Sequence, residues 1–219
     1  INESFISSKA GVNFESDKFA VKVSAYNTDW KDRNLTKAVT SGQGSSGDTD
    51  LIFLSGVNQK HSGIEVQGSA QLTDMIRLDG SASIGNWMFD GDASGDYKAY
   101  GEEGTVTTTY EYALDGLYVG DMPQQGLALG GTLTPTPGLK VQALFNWYNR
   151  NFSDWSPGDR EMSGGDADRY QVWEAPSYSK LDLHATFDIP TTFDLGGSTV
   201  TMQAFVHVFN ALDEIFVQD

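Results

Sequence analysis

The residues best suited to chemistry lie in an acidic stretch between positions 86 and 116, which holds seven acidic residues and a single lysine. Oxygen-bearing side chains alternate there at Asp90, Asp92, Ser94 and Asp96. With a glycine at position 95 for a sharp turn, this order matches the first half of a calcium-binding loop. The acid expected at the twelfth position is displaced to Glu102. The stretch therefore predicts either a structural calcium site or a solvated acidic loop.

A second stretch, from 149 to 177, mixes arginines and aspartates with tryptophans. Aromatic rings beside planar hydrogen-bonding groups suit a sugar or a polar chelate, and they equally suit packing between loops. The candidate substrate-binding residues, which include one tryptophan from an earlier loop, are Trp30, Arg150, Asp154, Trp155, Arg169 and Trp173.

No arrangement of residues predicts catalysis, and no Gly-x-Ser-x-Gly elbow is present. The three histidines are His61, His184 and His207. The last two fall on the polar faces of neighbouring predicted strands. The turn between those strands predicts an offset of several residues, so we expect them to be ordinary polar residues and not metal partners. An enzyme is not expected.

Composition excludes several classes of protein. The net charge of −16 argues against a nucleic-acid partner, because phosphate binding requires lysine and arginine. The absence of cysteine excludes disulfides and thiolate metal sites. No run approaches the roughly 20 apolar residues of a membrane helix, although a membrane strand needs only alternate apolar positions.

Alternation of apolar and polar residues recurs along the whole chain, and it is clearest from Ile76 to Ile84. No window shows helical periodicity. The pattern predicts eight strands near 3–14, 19–29, 51–72, 76–88, 117–133, 139–149, 178–189 and 199–209. Short and long connections alternate between them, and the long ones lie at 30–50, 86–116 and 149–177. Outer-membrane barrels have this arrangement, with short turns at the periplasmic end and long loops at the extracellular end.

Three motifs occur in an order that resembles TonB-dependent receptors. Ser-Gly-Ile-Glu at 62–65 resembles their Gly-x-Glu strand motif. Val-Gly-Asp-Met-Pro-Gln at 119–124, followed by Pro135, resembles a later strand with a proline-centred bend. Val-Phe-Asn-Ala-Leu-Asp at 208–213 resembles a segment of the penultimate strand, although Ile215 and Phe216 replace a tyrosine that is usual there.

The resemblance implies an all-β, antiparallel, up-and-down transmembrane β-barrel in the bacterial cell outer membrane. About eight strands of a barrel with about 22 strands would be present. Residues 1–219 would be the C-terminal portion, without the closing strand and the N-terminal plug. We therefore expect the first and last predicted strands not to pair with each other.

The resemblance also implies active import of a scarce nutrient of the siderophore, cobalamin or oligosaccharide class, with TonB energy coupling. The expected partners are outer-membrane lipid and lipopolysaccharide, the TonB complex through N-terminal parts, the nutrient, and a surface lipoprotein lid. No cofactor is expected apart from the loop calcium. The alternatives are a passive porin or a small self-closed barrel, and more remotely a secreted β-sandwich adhesin.

The direction of the two strand faces separates a membrane barrel from a sandwich, because only a barrel turns its apolar face outward. We expect exposed apolar side chains at Leu181, Leu183, Ala185, Val200, Met202, Ala204 and Val206. We expect polar side chains to point inward at Arg77, Asp79, Asp182, His184, Gln203 and His207.

Overall fold

The computed structural model describes residues 2–40, 49–101, 104–162 and 169–217, and these residues form mainly antiparallel strands. The strands are β1 (Ser4–Glu15), β2 (Phe19–Thr40), β3 (Thr49–Gln71), β4 (Ile76–Phe89), β5 (Ala93–Gly101), β6 (Gly104–Tyr112), β7 (Gln125–Thr136), β8 (Leu139–Asn149), β9 (Asn151–Phe152), β10 (Glu174–Ala175), β11 (Tyr178–Leu195) and β12 (Ser198–Val208). A four-residue helix, α1 (Pro157–Arg160), corrects the expectation that no helix would form. No helix in the described ranges is long and apolar enough to cross a membrane.

Eight long strands form one antiparallel meander in the order β1-β2-β3-β4-β7-β8-β11-β12. β5 pairs with the upper part of β3, β6 pairs with β5, and β9 with β10 forms a separate two-stranded sheet. Within the described residues β1 pairs with β2 and β12 pairs with β11, and the two do not pair with each other. The eight-strand meander predicted from alternation is confirmed.

The register lines up apolar residues across the whole sheet. One such row contains Phe14, Val21, Gly68, Gly80, Leu129, Phe145 and Leu181. The row one residue away faces the other side, because successive side chains alternate, and it contains Asn13, Lys22, Gln67, Ser81, Ala128, Asn146 and Lys180. The sheet therefore has one apolar face and one largely polar face.

The apolar face is exposed, as a membrane barrel requires. Of the seven apolar side chains expected to be exposed, five are exposed, namely Leu183, Val200, Met202, Ala204 and Val206, while Leu181 and Ala185 are half-buried. On the polar face Arg77 forms a salt bridge with Asp79, and their Nη2 and Oδ1 atoms are 2.7 Å apart. An exposed apolar face with paired charges opposite it is the reverse of a soluble sandwich.

The apolar face is a band of limited height. On β4 it runs from Ile76 to Ile84, which is nine residues. A tilted barrel strand of about 9–11 residues spans a bilayer core, so this length fits. Above Ile84 the next residue on this face is Asn86, which is level with Ser62 on β3. The membrane-facing surface therefore ends near this level.

Two expected loop regions contain strands instead. β2 continues to Thr40, whereas a loop was expected from position 30, and residues 41–48 lie outside the described ranges. The acidic stretch forms the β5–β6 hairpin. Conversely, residues 117–124 are not part of a long strand, since β7 begins at Gln125. Main-chain pairing above the membrane needs no apolar face toward lipid, so alternation is a weak signal there.

Candidate functional site

A hydrophobic core lies at the long-loop end of the sheet. It joins the top of β3 to the β5–β6 hairpin and to the connections at 113–124 and 150–177. Its buried members are Ile52, Leu54, Val57, Phe89, Ala93, Tyr112, Leu114, Leu117, Phe152, Trp155 and Val172. We call this packed region, over residues 49–57 and 89–177 as far as they are described and outside β7 and β8, the loop body.

Trp155 lies at the centre of the loop body, and 4% of its surface is exposed. Its ring centroid lies 5.7 Å from that of Tyr112 and 6.5 Å from that of Phe89. The indole nitrogen Nε1 is buried without a hydrogen-bond partner. A buried N–H group without an acceptor has a free-energy cost.

Trp155 also lines an open cavity of about 350 Å³. The other lining residues are Ser153, Asp154, Ser156, Asp159, Arg160, Tyr170, Gln171, Val172 and Trp173. The structure thus brings three candidate residues, Asp154, Trp155 and Trp173, to one cavity. This volume is within the range of small-molecule sites, which is about 300–1,000 Å³.

A largely buried lysine reaches the same place from β2. Lys37 donates a hydrogen bond from Nζ to a carboxylate oxygen of Asp154, and its Nζ lies 5.0 Å from the Trp155 ring centroid. Burial lowers the pKa of Lys37, and the negative charge of Asp121 opposes this shift. No sequence pattern singled out Lys37, which lay in an expected loop.

The cavity wall is held by backbone contacts with the preceding connection. The amide of Asp121 donates to the carbonyl oxygen of Phe152 at 2.9 Å, and the amide of Ser153 donates to that of Trp173 at 2.9 Å. A Cβ atom placed on Gly120 would lie 2.6 Å from backbone atoms of Ser153 and Asp154. Only glycine permits this approach.

Two candidate arginines make contacts within the loop body. The guanidinium carbon of Arg150 lies 4.6 Å from the Tyr118 ring centroid and 5.7 Å from that of Phe152. Arg169 donates two hydrogen bonds to the carboxylate of Asp92, at 3.0 and 2.7 Å. The Arg169 guanidinium holds the pKa of Asp92 below its usual value, although burial opposes the shift.

The four calcium candidates have separate protein contacts. The Asp90 carboxylate accepts from Lys60 at 2.7 Å, and that of Asp96 accepts from the Thr109 hydroxyl at 2.7 Å. Asp92 binds Arg169, and Ser94 lies in β5. Among the described residues, no group of three or more histidine, cysteine or acidic residues could hold a metal. The calcium site stays a prediction.

The sixth candidate, Trp30, lies apart on the polar face of β2. The guanidinium carbon of Arg33 lies 3.7 Å from its ring centroid. Arg33 also donates to the amide oxygen of Gln59 at 2.6 Å, and the same oxygen lies 3.1 Å from Nε2 of His61. Burial lowers the pKa of His61, and the Arg33 charge adds to this effect. Gln59 and His61 could have been linked to Trp30 only through the register.

Trp87 and Tyr26 extend this set of inward-facing side chains, which we call the inner wall, toward the membrane level. His61 stacks on Trp87 with ring centroids 5.6 Å apart, and the Trp87 indole donates to the Tyr26 hydroxyl at 2.8 Å. Tyr26 lies across Gly63, where a Cβ atom would come within 2.6 Å of its hydroxyl oxygen. The glycine of the Gly-x-Glu motif therefore leaves space for the Tyr26 ring.

The side chain of Gln124 replaces a strand partner where β4 extends beyond its pairing with β7. Its Oε1 accepts from the amide of Trp87 at 3.1 Å, and its Nε2 donates to the carbonyl oxygen of Trp87 at 2.9 Å. The residue is 1% exposed. These two hydrogen bonds therefore attach the 113–124 connection to β4.

The register of the last hairpin corrects the expectation for the two distal histidines. His184 and His207 are direct cross-strand partners, and their Nδ1 atoms are 2.7 Å apart. An irregularity between Ile189 and Phe193 shifts the register, and the turn falls at Gly196 and Gly197, later than expected. Both glycines have positive φ, at 56° and 87°.

An antiparallel meander with an exposed apolar band and long loops at one end defines an outer-membrane β-barrel. The family model described as "TonB dependent receptor-like, beta-barrel" matches residues 7–210, and the chain belongs to this family. The family consists of non-enzymatic transporters of the bacterial outer membrane. The predicted family, location and lack of enzymatic function are confirmed.

Among solved structures, a similar chain is the "CymD monoaromatic hydrocarbon channel", with 15% identity and a TM-score of 0.45. The match covers 94% of this chain and 59% of that one, so this chain spans about three fifths of its length. No curated protein matches.

Proposed function

We propose that this chain is the C-terminal barrel portion of an active transport receptor that imports a scarce nutrient with TonB energy coupling. The observation that carries the proposal is the loop-body cavity, which has a ligand-sized volume and is lined by aromatic and polar side chains. Family membership supports transport through the barrel.

The cavity suits a nutrient that has both polar and apolar surfaces. Trp173 offers an exposed aromatic face, while Asp154 and Asp159 offer hydrogen-bonding groups. Siderophores, cobalamin and oligosaccharides all have this mixed character. Arg150 and Arg169 support the loop body through their ring and carboxylate contacts, and Trp30 belongs to the inner wall below.

The proposal includes parts outside this chain. An N-terminal plug would close the lumen and a TonB-contacting segment would couple it to energy. The apolar band would contact membrane lipid, and the polar residues above it, such as Asn86 and Ser62, would meet lipopolysaccharide headgroups. A surface lipoprotein lid over the loop body belongs to the same proposal.

Energy coupling is tested by uptake in cells that express the full-length protein, with and without TonB. Labelled iron–siderophore, cobalamin and oligosaccharide are supplied separately. We expect uptake of one class in the presence of TonB and background uptake in its absence, since a plugged barrel does not open by itself. Uptake that is equal in both strains would instead identify a passive porin.

The cavity is tested with Trp173→Ala, which removes an exposed aromatic ring from the cavity lining. Loss of one aromatic contact of about 0.5–1.5 kcal/mol should weaken binding of the transported nutrient by up to roughly tenfold. Equilibrium binding to the purified full-length protein measures this. The matched control is Trp147→Ala, because Trp147 lies on the membrane-facing side of β8. Equal weakening by both substitutions would contradict the assignment of the cavity.

A further inference from the structure

The distal histidine pair lies in the lumen, well away from the loop body. His184 and His207 occupy the polar face, and the neighbouring residues on both strands, Leu183 and Val208, occupy the apolar face. The pair is therefore at the height of the membrane-facing band, inside the barrel wall. Its facing ring nitrogens are 2.7 Å apart, which leaves room for one shared proton.

Two imidazole nitrogens on adjacent strands that lie this close together can bind one metal ion between them. With metal–nitrogen bonds of about 2.05 Å, cis ligands in a square plane are roughly 2.9 Å apart, and tetrahedral ligands roughly 3.3 Å. The observed 2.7 Å is a hydrogen-bond distance, so the two nitrogens would have to move slightly apart when a metal ion replaces the proton between them. Square-planar coordination is typical of Cu²⁺ and Ni²⁺, and Cu²⁺ binds most strongly in the divalent series.

We propose that His184 and His207 form a two-histidine site for a divalent transition-metal ion, with Cu²⁺ preferred over Ni²⁺ and Zn²⁺. The two nitrogens would bind through Nδ1 from adjacent strands. Nothing in this proposal requires nutrient import or TonB coupling, so it stands apart from the proposed function.

Nearby aromatic rings hold the imidazoles in place. The Phe209 centroid lies 5.7 Å from that of His184 and 6.2 Å from that of His207, and Phe205 lies 5.2 Å from His207. These rings restrict the side-chain rotamers, which reduces the entropy lost when the metal orders both ligands.

The acidic residues on this face are engaged elsewhere. Asp182 accepts from the amide of Asn210 at 2.7 Å, and Asp188 accepts from Gln203 at 2.7 Å. Gln142 is the register partner of His184 on β8. The described residues thus supply two imidazoles without a third histidine or acid, and the remaining coordination positions would be open to water or to a chelating ligand.

The test uses Cu²⁺ with the purified full-length protein in detergent. Isothermal titration calorimetry gives the Cu²⁺ affinity of the unaltered protein and of the His184→Asn and His207→Asn variants. A difference in gel mobility between heated and unheated samples confirms that each protein is folded. We expect one Cu²⁺ site whose affinity falls at least tenfold in either variant. His61→Asn is the control, since His61 stacks on Trp87 above the band, and it should retain the site.

Electron paramagnetic resonance of the unaltered protein gives a second measurement that needs no substitution. Nitrogen hyperfine splitting from two imidazoles is expected for the bound Cu²⁺. A spectrum with oxygen ligands alone, or a Cu²⁺ affinity that is unchanged in the double variant His184→Asn and His207→Asn, would overturn the proposal.

Discussion

Replacing Leu183 with arginine is expected to destabilise the folded protein in a bilayer by about 2–4 kcal/mol. Leu183 lies mid-strand on the apolar face, level with Ala143 on β8 and Val208 on β12, and it is 38% exposed. In the membrane this exposed surface meets hydrocarbon. An arginine there loses its hydration without gaining a partner, which accounts for the cost.

The matched control is Gln203→Arg on the polar face of the neighbouring strand. Gln203 lies opposite Asp188 and already donates to its carboxylate, so an arginine would keep a polar surrounding and an acidic partner. Refolding equilibria of the full-length protein in lipid vesicles measure both variants. Equal costs for the two substitutions would mean that the apolar face does not contact lipid.

Gly120→Ala is expected to cost about 1–3 kcal/mol and to distort the cavity of the loop body. The added Cβ atom would lie 2.6 Å from the amide nitrogen of Asp154 and from the carbonyl of Ser153. Both are backbone atoms, which cannot rotate away as a flexible side chain would. The 150–162 segment must therefore shift, and Asp154 and Trp155 shift with it.

Hydrogen exchange measures this change at the amides of Asp121 and Ser153, whose hydrogen bonds hold the two connections together. Gly131→Ala is the control, because the nearest atom to its added Cβ would be a side-chain carbon of Leu78 at 3.8 Å. Faster exchange is expected in the first variant alone. Unchanged exchange in Gly120→Ala would show that the close approach is not required.

The membrane-spanning wall could be predicted from sequence because one physical constraint governs it. Residues that face lipid must be apolar at every second position, so the segment from Ile76 to Ile84 has a regular pattern. Above Asn86 the constraint ends. The upper part of β2 and the β5–β6 hairpin pair through their backbones without an apolar face toward lipid, and their patterns are correspondingly weak.

Register was harder to predict than the presence of strands. The opposition of His184 and His207 depends on an irregularity near Ile189 and on a turn at Gly196. The predicted strand bounds, 178–189 and 199–209, placed the turn earlier, and counting from them separates the two histidines. A shift of a few residues leaves the alternation unchanged, so periodicity alone could not distinguish the two registers.

The candidate site could be predicted as a region and not as a set of contacts. Mixed aromatic and charged residues indicated the 149–177 loop, and three of them line its cavity. Lys37 arrives from a strand more than a hundred residues away in sequence, through its contact with Asp154. Such long-range partners are set by the packing of the loop body, which no local pattern reports.

The position of the buried core implies that one part of this protein is stabilised in water and another part in the hydrocarbon of the membrane. Among the described residues, the core clusters in the loop body, where water drives apolar groups such as Leu114 and Trp155 together. The wall has its apolar groups turned toward hydrocarbon, so its cohesion comes mainly from backbone hydrogen bonds that have no aqueous competitor. Urea should therefore loosen the loop body first, while the wall persists until detergent or heat disrupts its lipid surroundings.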